Sequence, residues 1–479
     1  MNHLNLGYLK YLAVVISLLM GLPSTWSQED SSAKRKPNII IVLADDLGWK
    51  DVGCYGSKFY ETPHIDRLAK EGMKFTDGYS ASPVCSPSRA AILTGRYPAK
   101  IHLTDWIPGY PSLPQHKLKG PDSLLQLPVG IPNLAQVLKS AGYVTASIGK
   151  WHLGEEEKYW PEKQGFDVNI GGWSKGQPAS YFSPYKNPRL TDGPKGEFLS
   201  DRLTVEANKF IEQHKDEPFF IYLSHYAVHT PLMAKPEVVE KYKAKVDPKY
   251  PQKNPTYAGL VESLDDSIGS LLNKLEELKL SENTIVIFTS DNGGLNSATS
   301  NLPLREGKAT AYEGGVRVPL IIRWPSMIKS DSLCHVPVMG IDFFPTLCEI
   351  AGLADNENID GESIFPLLRE SGTLERKNIY WHYPYYHPAG SKPHGVIREG
   401  DYRLVAFYEN NKIELYNLKN DIGETKNLAT SMPEISASLH KKLLAWLQHV
   451  EAKMPTSNPN YDPTMDGKEG HKKKNLRQQ

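Results

Sequence analysis

Runs of apolar residues four to seven long, each ending in acidic or glycine-rich turns, alternate along the chain with stretches of helical period. Asn38-Ile39-Ile40-Ile41-Val42-Leu43-Ala44 is continuous, rich in β-branched residues and stops at Asp45-Asp46. The same grammar returns at Thr284-Ile285-Val286-Ile287-Phe288-Thr289, which ends in Ser290-Asp291-Asn292-Gly293-Gly294. Phe219–Leu223 and Val144–Ile148 are two further runs of this kind. Unbroken runs of this length predict strands buried on both faces. Between them, Leu134, Val137, Leu138 and Ala141 follow i, i+3, i+4, i+7 spacing, with Gly142 placed to stop the helix. Leu260, Leu264, Ile268, Leu271, Leu272, Leu275 and Leu278 make one stripe of a longer helix. Strands alternating with helices predict an α/β fold with a mostly parallel sheet covered on both faces. In such sheets, sites gather at the carboxyl ends of strands, where both acidic pairs fall.

The pattern changes from about Ile379. Val396-Ile397-Arg398, Tyr402–Val405 and Glu414-Leu415-Tyr416 alternate apolar and polar residues, which predicts a small antiparallel sheet. An amphipathic helix follows around Leu439 to Val450, and the chain from Pro455 is polar, with Lys472-Lys473-Lys474 near its end. At the other end, Lys10 precedes an apolar run over 11–22, and Thr25 and Ser27 are small residues suited to cleavage before Gln28. The run is shorter than the roughly 20 residues of a membrane span, so a removed export signal is expected rather than a stable anchor. The predicted division is therefore signal 1–27, linker 28–36, catalytic domain 37–378, C-terminal subdomain 379–454 and a solvated polar tail 455–479, in a protein exported to the periplasm or secreted.

Charge narrows the partners. Lys plus Arg and Asp plus Glu are both 55 in 479 residues, so no global field draws in nucleic acid. Four cysteines, Cys54, Cys85, Cys334 and Cys348, are too few for a disulfide scaffold. Cys334 and Cys348 are open to pairing or to plain packing.

The chemistry begins with Asp45, Asp46, Asp291 and Asn292, which offer only oxygen ligands. Converging carboxylates repel by roughly 4 kcal/mol per pair at 4 Å and an effective dielectric of 20. A hard cation offsets that, Ca²⁺ before Mg²⁺. Cys85-Ser86-Pro87-Ser88-Arg89-Ala90-Ala91-Ile92-Leu93-Thr94-Gly95 then supplies a dense local pattern. It resembles the signature by which type I sulfatases mark one cysteine for oxidation to formylglycine (3-oxoalanine). The stretch 142–152, ending in Gly149-Lys150-Trp151-His152, is similar to the second sulfatase signature. His229 in Tyr226-Ala227-Val228-His229-Thr230-Pro231 and Lys308 in Leu304-Arg305-Glu306-Gly307-Lys308 continue the likeness, which runs to Pro319. Glu414–Leu418, Glu424 and Asn427-Leu428-Ala429 extend it into the C-terminal sheet. The chain looks most like the glycan-degrading bacterial branch, of the arylsulfatase A type.

That resemblance implies an alkaline-phosphatase-like fold and sulfate ester hydrolysis on carbohydrates. It implies one Ca²⁺ per chain held by Asp45, Asp46, Asp291 and Asn292, with the modified Cys85 as a further ligand. It implies a hydrated aldehyde at Cys85 as nucleophile, steadied by Arg89 and Lys150. His229 would be the general acid for the leaving oxygen, Lys308 would bind sulfate, and His152 would take the proton from the second hydroxyl so that sulfate is expelled by internal elimination. A formylglycine-generating or anaerobic maturation enzyme is the implied partner. Asp105-Trp106, Trp173-Ser174-Lys175 and the run from His382 to His387 are candidate sugar contacts. Two other readings stay open: a phosphate or phosphonate ester hydrolase on the same scaffold, and a non-catalytic glycan-binding protein whose Cys85 is unmodified.

Overall fold

The computed structural model describes residues 35–353 and 358–465. The export signal, the linker up to residue 34 and the lysine run at 472–474 lie outside the described residues. Among those described, no helix is long and apolar enough to cross a membrane.

Eight strands form the central sheet: β1 (Asn38–Ala44), β2 (Met73–Phe75), β3 (Val144–Gly149), β4 (Val168–Ile170), β5 (Phe219–Ser224), β6 (Thr284–Ser290), β7 (Leu320–Arg323) and β8 (Ser332–Cys334). Their spatial order is β8-β2-β7-β6-β1-β5-β3-β4. Pairing from β6 through β1, β5 and β3 to β4 is parallel, and β7 runs antiparallel to β6 and β2. The expected mostly parallel α/β sheet is therefore present, and all four predicted strands lie in its parallel part.

β1 sits at the centre because its residues suit two apolar layers at once. Ile40, Val42 and Ala44 pack with residues of α1 (Pro63–Lys70), α4 (Leu199–Gln213) and α5 (Pro255–Glu277). Ile39, Ile41 and Leu43 pack with α2 (Cys85–Thr94), α3 (Leu134–Ser140) and α6 (Phe343–Ile350) on the other face. The alternation follows from the two-residue period of a strand. The predicted α3 starts at a capping box, Asn133 with Gln136, and ends before Gly142, whose φ of +87° only glycine adopts freely. Asn254 caps α5 by accepting from the Thr256 and Tyr257 amides.

The small sheet is antiparallel in the order β9 (Asn378–Tyr383), β10 (His394–Glu399), β11 (Tyr402–Phe407) and β12 (Lys412–Asn417), with α7 (Pro433–His449) against β10 and β11. Its apolar side shares one core with the Cys85 helix and its neighbours: Trp381, Leu404 and Leu443 cluster with Tyr79, Ala91 and Tyr97. The Trp381 indole donates to the Ser80 carbonyl at 2.8 Å. The chain from Pro455, expected as a solvated end, is instead docked as far as it is described. Thr456 and Ser457 pair with Lys119 and Leu118, and the Asn458 amide donates to the Leu113 and His116 carbonyls. Thr456 and Ser457 stay exposed while their backbone pairs. Cys334 and Cys348 both lie in the second apolar layer and form no disulfide, so packing accounts for them.

Candidate active site

Register brings the two acidic strand ends together. Ala44 is paired with Ser290, so Asp45 and Asp291 leave the sheet as neighbours. Asp46 adopts a left-handed φ of 64°, a conformation that Asp tolerates better than most residues, and its amide donates to Asp291 Oδ1 at 3.2 Å. The Asn292 amide nitrogen donates to Asp46 Oδ1 at 2.8 Å. Asn292 Oδ1 is buried with no hydrogen-bond partner among the described residues. A buried acceptor without a donor is costly, and beside three carboxyl groups a cation would satisfy it.

Helix α2 delivers the next residues. Cys85 is its first residue and Arg89 lies one turn on, so both face the strand ends. The Cys85 Sγ is 3.7 Å from Asp45 Oδ1, 3.9 Å from Asp46 Oδ1 and 3.4 Å from the Lys308 ammonium. Arg89 Nε donates to Asp291 Oδ2 at 2.8 Å, and its guanidinium also reaches the Ser224 hydroxyl and the Lys150 carbonyl. The Lys150 ammonium holds both oxygens of Asp45 at 2.8 and 2.9 Å. Lys308 binds both oxygens of Asp46 at 2.6 and 2.8 Å. Three carboxyl groups thus face three fixed cations in a buried site, where each pair is strong because the side chains are withdrawn from solvent. A divalent cation added to this set leaves excess positive charge, which suits an anionic substrate.

The electrostatics sort the titratable groups. Burial alone would push the Cys85 thiol up, but Lys150 and Lys308 bring it down to about 7. Burial likewise opposes Asp46, yet Lys308 and His229 hold its carboxyl below the ordinary range. Burial works against a charged Asp291 as well, and Arg89 outweighs it. The two histidines separate. Burial, helped by Lys150, drives His152 well below the usual imidazole value. His229 is raised, because Asp46 overcomes the cost of burial. The His152 Nε2 lies 2.6 Å from the Ile107 carbonyl, which only accepts, so Nε2 carries the proton and Nδ1 keeps its lone pair. The same logic puts a proton on His229 Nδ1, 2.7 Å from the Thr230 carbonyl, and turns Nε2 toward Asp46 Oδ2 at 3.6 Å.

All the site residues expected from the sequence therefore meet around Cys85. A cleft of about 760 Å³ opens over them, lined by Cys85, Asp46, His152, His229 and Lys308. Trp106, Ser174, Lys175 and His387, among the candidate sugar contacts, also line it. Asp105, Trp173 and the residues 382–386 do not. His382 and Tyr383 are the end of β9 and are buried: His382 bonds the Tyr408 hydroxyl at 2.7 Å and the Lys453 carbonyl at 3.1 Å. Tyr386 stacks on His116 with ring centroids 4.0 Å apart. An aromatic-rich run reads alike as loop or strand end, and here His382 and Tyr383 end β9 and residues 384–386 follow it, all of them buried. Sequence reasoning missed Ser224, the last residue of β5 and a partner of Arg89, and Gly176, where a Cβ would stand 2.3 Å from the His152 ring. Polar residues closing an apolar run were the available signal for the first.

A second carboxylate–imidazole group, His64 with Asp265 and Asp266, is a helix cap: Asp265 accepts from the His64 and Ile65 amides at the start of α1.

The loop carrying Lys308 is clasped from the small sheet. Arg403 of β11, fully buried, reaches the Ala311 carbonyl, Glu424 and, at 3.2 Å, Glu313. Glu424 in turn accepts from the Glu313 amide at 2.7 Å, and burial, opposed by Arg403, pushes its carboxyl up to about 7. Arg403→Ala leaves the buried Glu424 without its cation and Glu313 with Arg317 alone. It is expected to cost about 3–5 kcal/mol, read from the midpoint of urea denaturation. A loss below about 1 kcal/mol would show that the clasp contributes little.

The sulfatase family model matches residues 37–353, which span helix α2 and Asp45, Asp46, Ser224, Asp291 and Asn292. The chain belongs to the sulfatase family. The model of the N-sulphoglucosamine sulphohydrolase C-terminal region matches 307–449, from the Lys308 loop through α7. A sulfatase of Formosa agariphila is 35% identical, covering 91% of this chain and 93% of its own. Human N-acetylgalactosamine-6-sulfatase is 37% identical over 73% of this chain and 69% of its own. Among solved structures, Ps i-CgsB in complex with k-i-k-neocarrahexaose superposes with a TM-score of 0.74 at 32% identity, covering 86% of this chain and 93% of that one. The phosphonate monoester hydrolase of Agrobacterium radiobacter shares the fold at 18% identity and a TM-score of 0.67. This sulfatase is accordingly a sulfuric ester hydrolase.

Proposed function

We propose that this sulfatase hydrolyses sulfate esters of carbohydrates through a formylglycine made from Cys85. One observation carries the reading: Cys85 opens a buried helix and lies within 4 Å of Asp45, Asp46 and the Lys308 ammonium. A structural cysteine has no need of that setting. The carbohydrate class rests on N-acetylgalactosamine-6-sulfatase and the neocarrahexaose-bound Ps i-CgsB as relatives, and on a cleft that presents Trp106 beside the polar groups Ser174, Lys175 and His387. Export to the periplasm or beyond rests on the pattern at 10–27, and modification of Cys85 implies a maturation enzyme as partner. We take residues 37–378 as the catalytic domain and 379–454 as its C-terminal subdomain.

Asp45, Asp46, Asp291 and Asn292 fit one Ca²⁺, with the modified Cys85 as a further ligand, since all the protein donors are oxygens and Asn292 Oδ1 is left without a donor. When bound, the ion supplies Lewis-acid polarisation of sulfate oxygens. The hydrated aldehyde supplies two hydroxyls, one to attack sulfur and one whose deprotonation restores the carbonyl and releases sulfate. The chain's own residues do the rest. Arg89 and Lys150 hold positive charge fixed beside the nucleophile, where no solvent must reorganise as negative charge develops. Lys308 binds the sulfate. His229 carries a proton at Nε2 for the leaving oxygen, and its raised basicity keeps that proton in place. His152 stays neutral and presents the Nδ1 lone pair as the base.

Desulfation assays over defined sulfated oligosaccharides test the substrate class; activity confined to phosphate or phosphonate esters would overturn it. Chelation of divalent cations is expected to abolish turnover, with restoration by Ca²⁺ and one calcium per chain in elemental analysis. Stoichiometric zinc without calcium in active protein would refute the ligand assignment.

A further inference from the structure

Nothing in the reaction itself assigns a role to Asp105, yet this buried carboxylate organises the short loop next to the base. Its Oδ1 accepts from the Trp106 amide and the Tyr383 hydroxyl, both at 2.9 Å, and its Oδ2 accepts from the Tyr110 amide at 3.2 Å. Both ends of residues 105–110 are thus tied to one side chain. Gly109 lets the chain close that tightly: its φ is +93° and a Cβ there would stand 3.1 Å from Asp105 Oδ2. In the middle of this loop is Ile107. Its amide donates to the Ser86 hydroxyl at 3.2 Å, next to the nucleophile, and its carbonyl meets His152 Nε2 at 2.6 Å.

That carbonyl decides which nitrogen of His152 is basic. With it in place, the proton sits on Nε2 and Nδ1, buried and without a hydrogen-bond partner among the described residues, is the acceptor; with it displaced, either tautomer forms and the ring turns. We infer that Asp105, anchored by Tyr383 from the small sheet, is a positioning residue that fixes the His152 tautomer through the Ile107 carbonyl. The inference rests on His152 being the base of the proposed function.

The two halves of the reaction separate this role from a merely structural one. His152 acts after the leaving group has gone, so weakening its tether slows release of sulfate and leaves departure of the alcohol alone. The matured enzyme with bound calcium is mixed rapidly with 4-nitrophenyl sulfate, and the first turnover is compared with the steady state. Asp105→Ala is expected to give a burst of nitrophenol of about one per active site, at a rate within a few fold of the parent. A steady state lower by about 10²-fold should follow, the loss that small misplacements of a reacting group bring. Tyr383→Phe, which keeps the ring and removes one donor, should show the same split at smaller size and serves if Asp105→Ala does not fold. His152→Ala, run alongside, should burst and stall. A common factor on both phases, or no change in either, for Asp105→Ala and Tyr383→Phe while His152→Ala bursts would overturn the positioning role and leave the proposed function standing. Absence of a burst in His152→Ala would remove both.

Discussion

Cys85→Ser is expected to lower turnover by about 10⁶-fold, the scale on which removing a covalent nucleophile acts. Peptide mass spectrometry of the active parent should find formylglycine at position 85. The thiol itself is not an adequate substitute. Lys150 and Lys308 bring it to about 7, so thiolate is present near neutrality and attack on sulfur is conceivable. A sulfur–sulfur adduct, however, has no second hydroxyl from which to eliminate sulfate, and water would have to attack an anionic centre surrounded by carboxylates. A serine faces the same dead end after one event. In the proposed mechanism, a carbon bearing two oxygens is what lets His152 complete the cycle by moving one proton. Undiminished activity in protein whose Cys85 is entirely thiol would reject the mechanism.

His229→Ala is expected to reduce turnover of a sulfated sugar by about 10²–10⁴-fold, the usual contribution of general acid catalysis. Turnover of 4-nitrophenyl sulfate should fall far less. A sugar alkoxide is a strong base and leaves slowly unless protonated, whereas nitrophenolate departs unaided. The structure supports the distinction because His229 holds one proton against the Thr230 carbonyl and directs the other nitrogen into the cleft beside Asp46. Equal losses on the two substrates would move the acid role to Lys308, whose ammonium lies 3.4 Å from Cys85 Sγ.

Much of this site was legible because its residues terminate recognisable elements. Asp45 and Asp291 close two apolar runs, and the pairing of Ala44 with Ser290 makes their proximity a matter of sheet register. Cys85 and Arg89 share one helix at a spacing of four, so one face carries both. What the sequence concealed depends on tertiary contact. Ser224 matters only because Arg89 crosses from α2 to β5, and the Ile107 carbonyl, being backbone, leaves no mark in any residue type. The run from His382 was misplaced for a related reason. Its aromatics suit a sugar platform as well as a core, and only the position of β9 against Tyr408, Lys453 and Asp105 decides between them.

The clasp by Arg403 and Glu424 ties the order in which the chain is synthesised to when it can work. Asp45 and Cys85 leave the ribosome early, and Asn38 of β1 must wait for Thr284, 246 positions later. Contacts that distant are slow to form, since the intervening chain must first be ordered. Even then the Lys308 loop lacks its ties to the small sheet until Arg403 and Glu424 have emerged. A fragment ending before Arg403 retains Cys85 with Asp45, Asp46 and Lys308 around it but lacks the groups that tie the Lys308 loop to the small sheet. Proteolytic nicking within the last sheet should therefore silence the enzyme while leaving its reactive centre covalently intact.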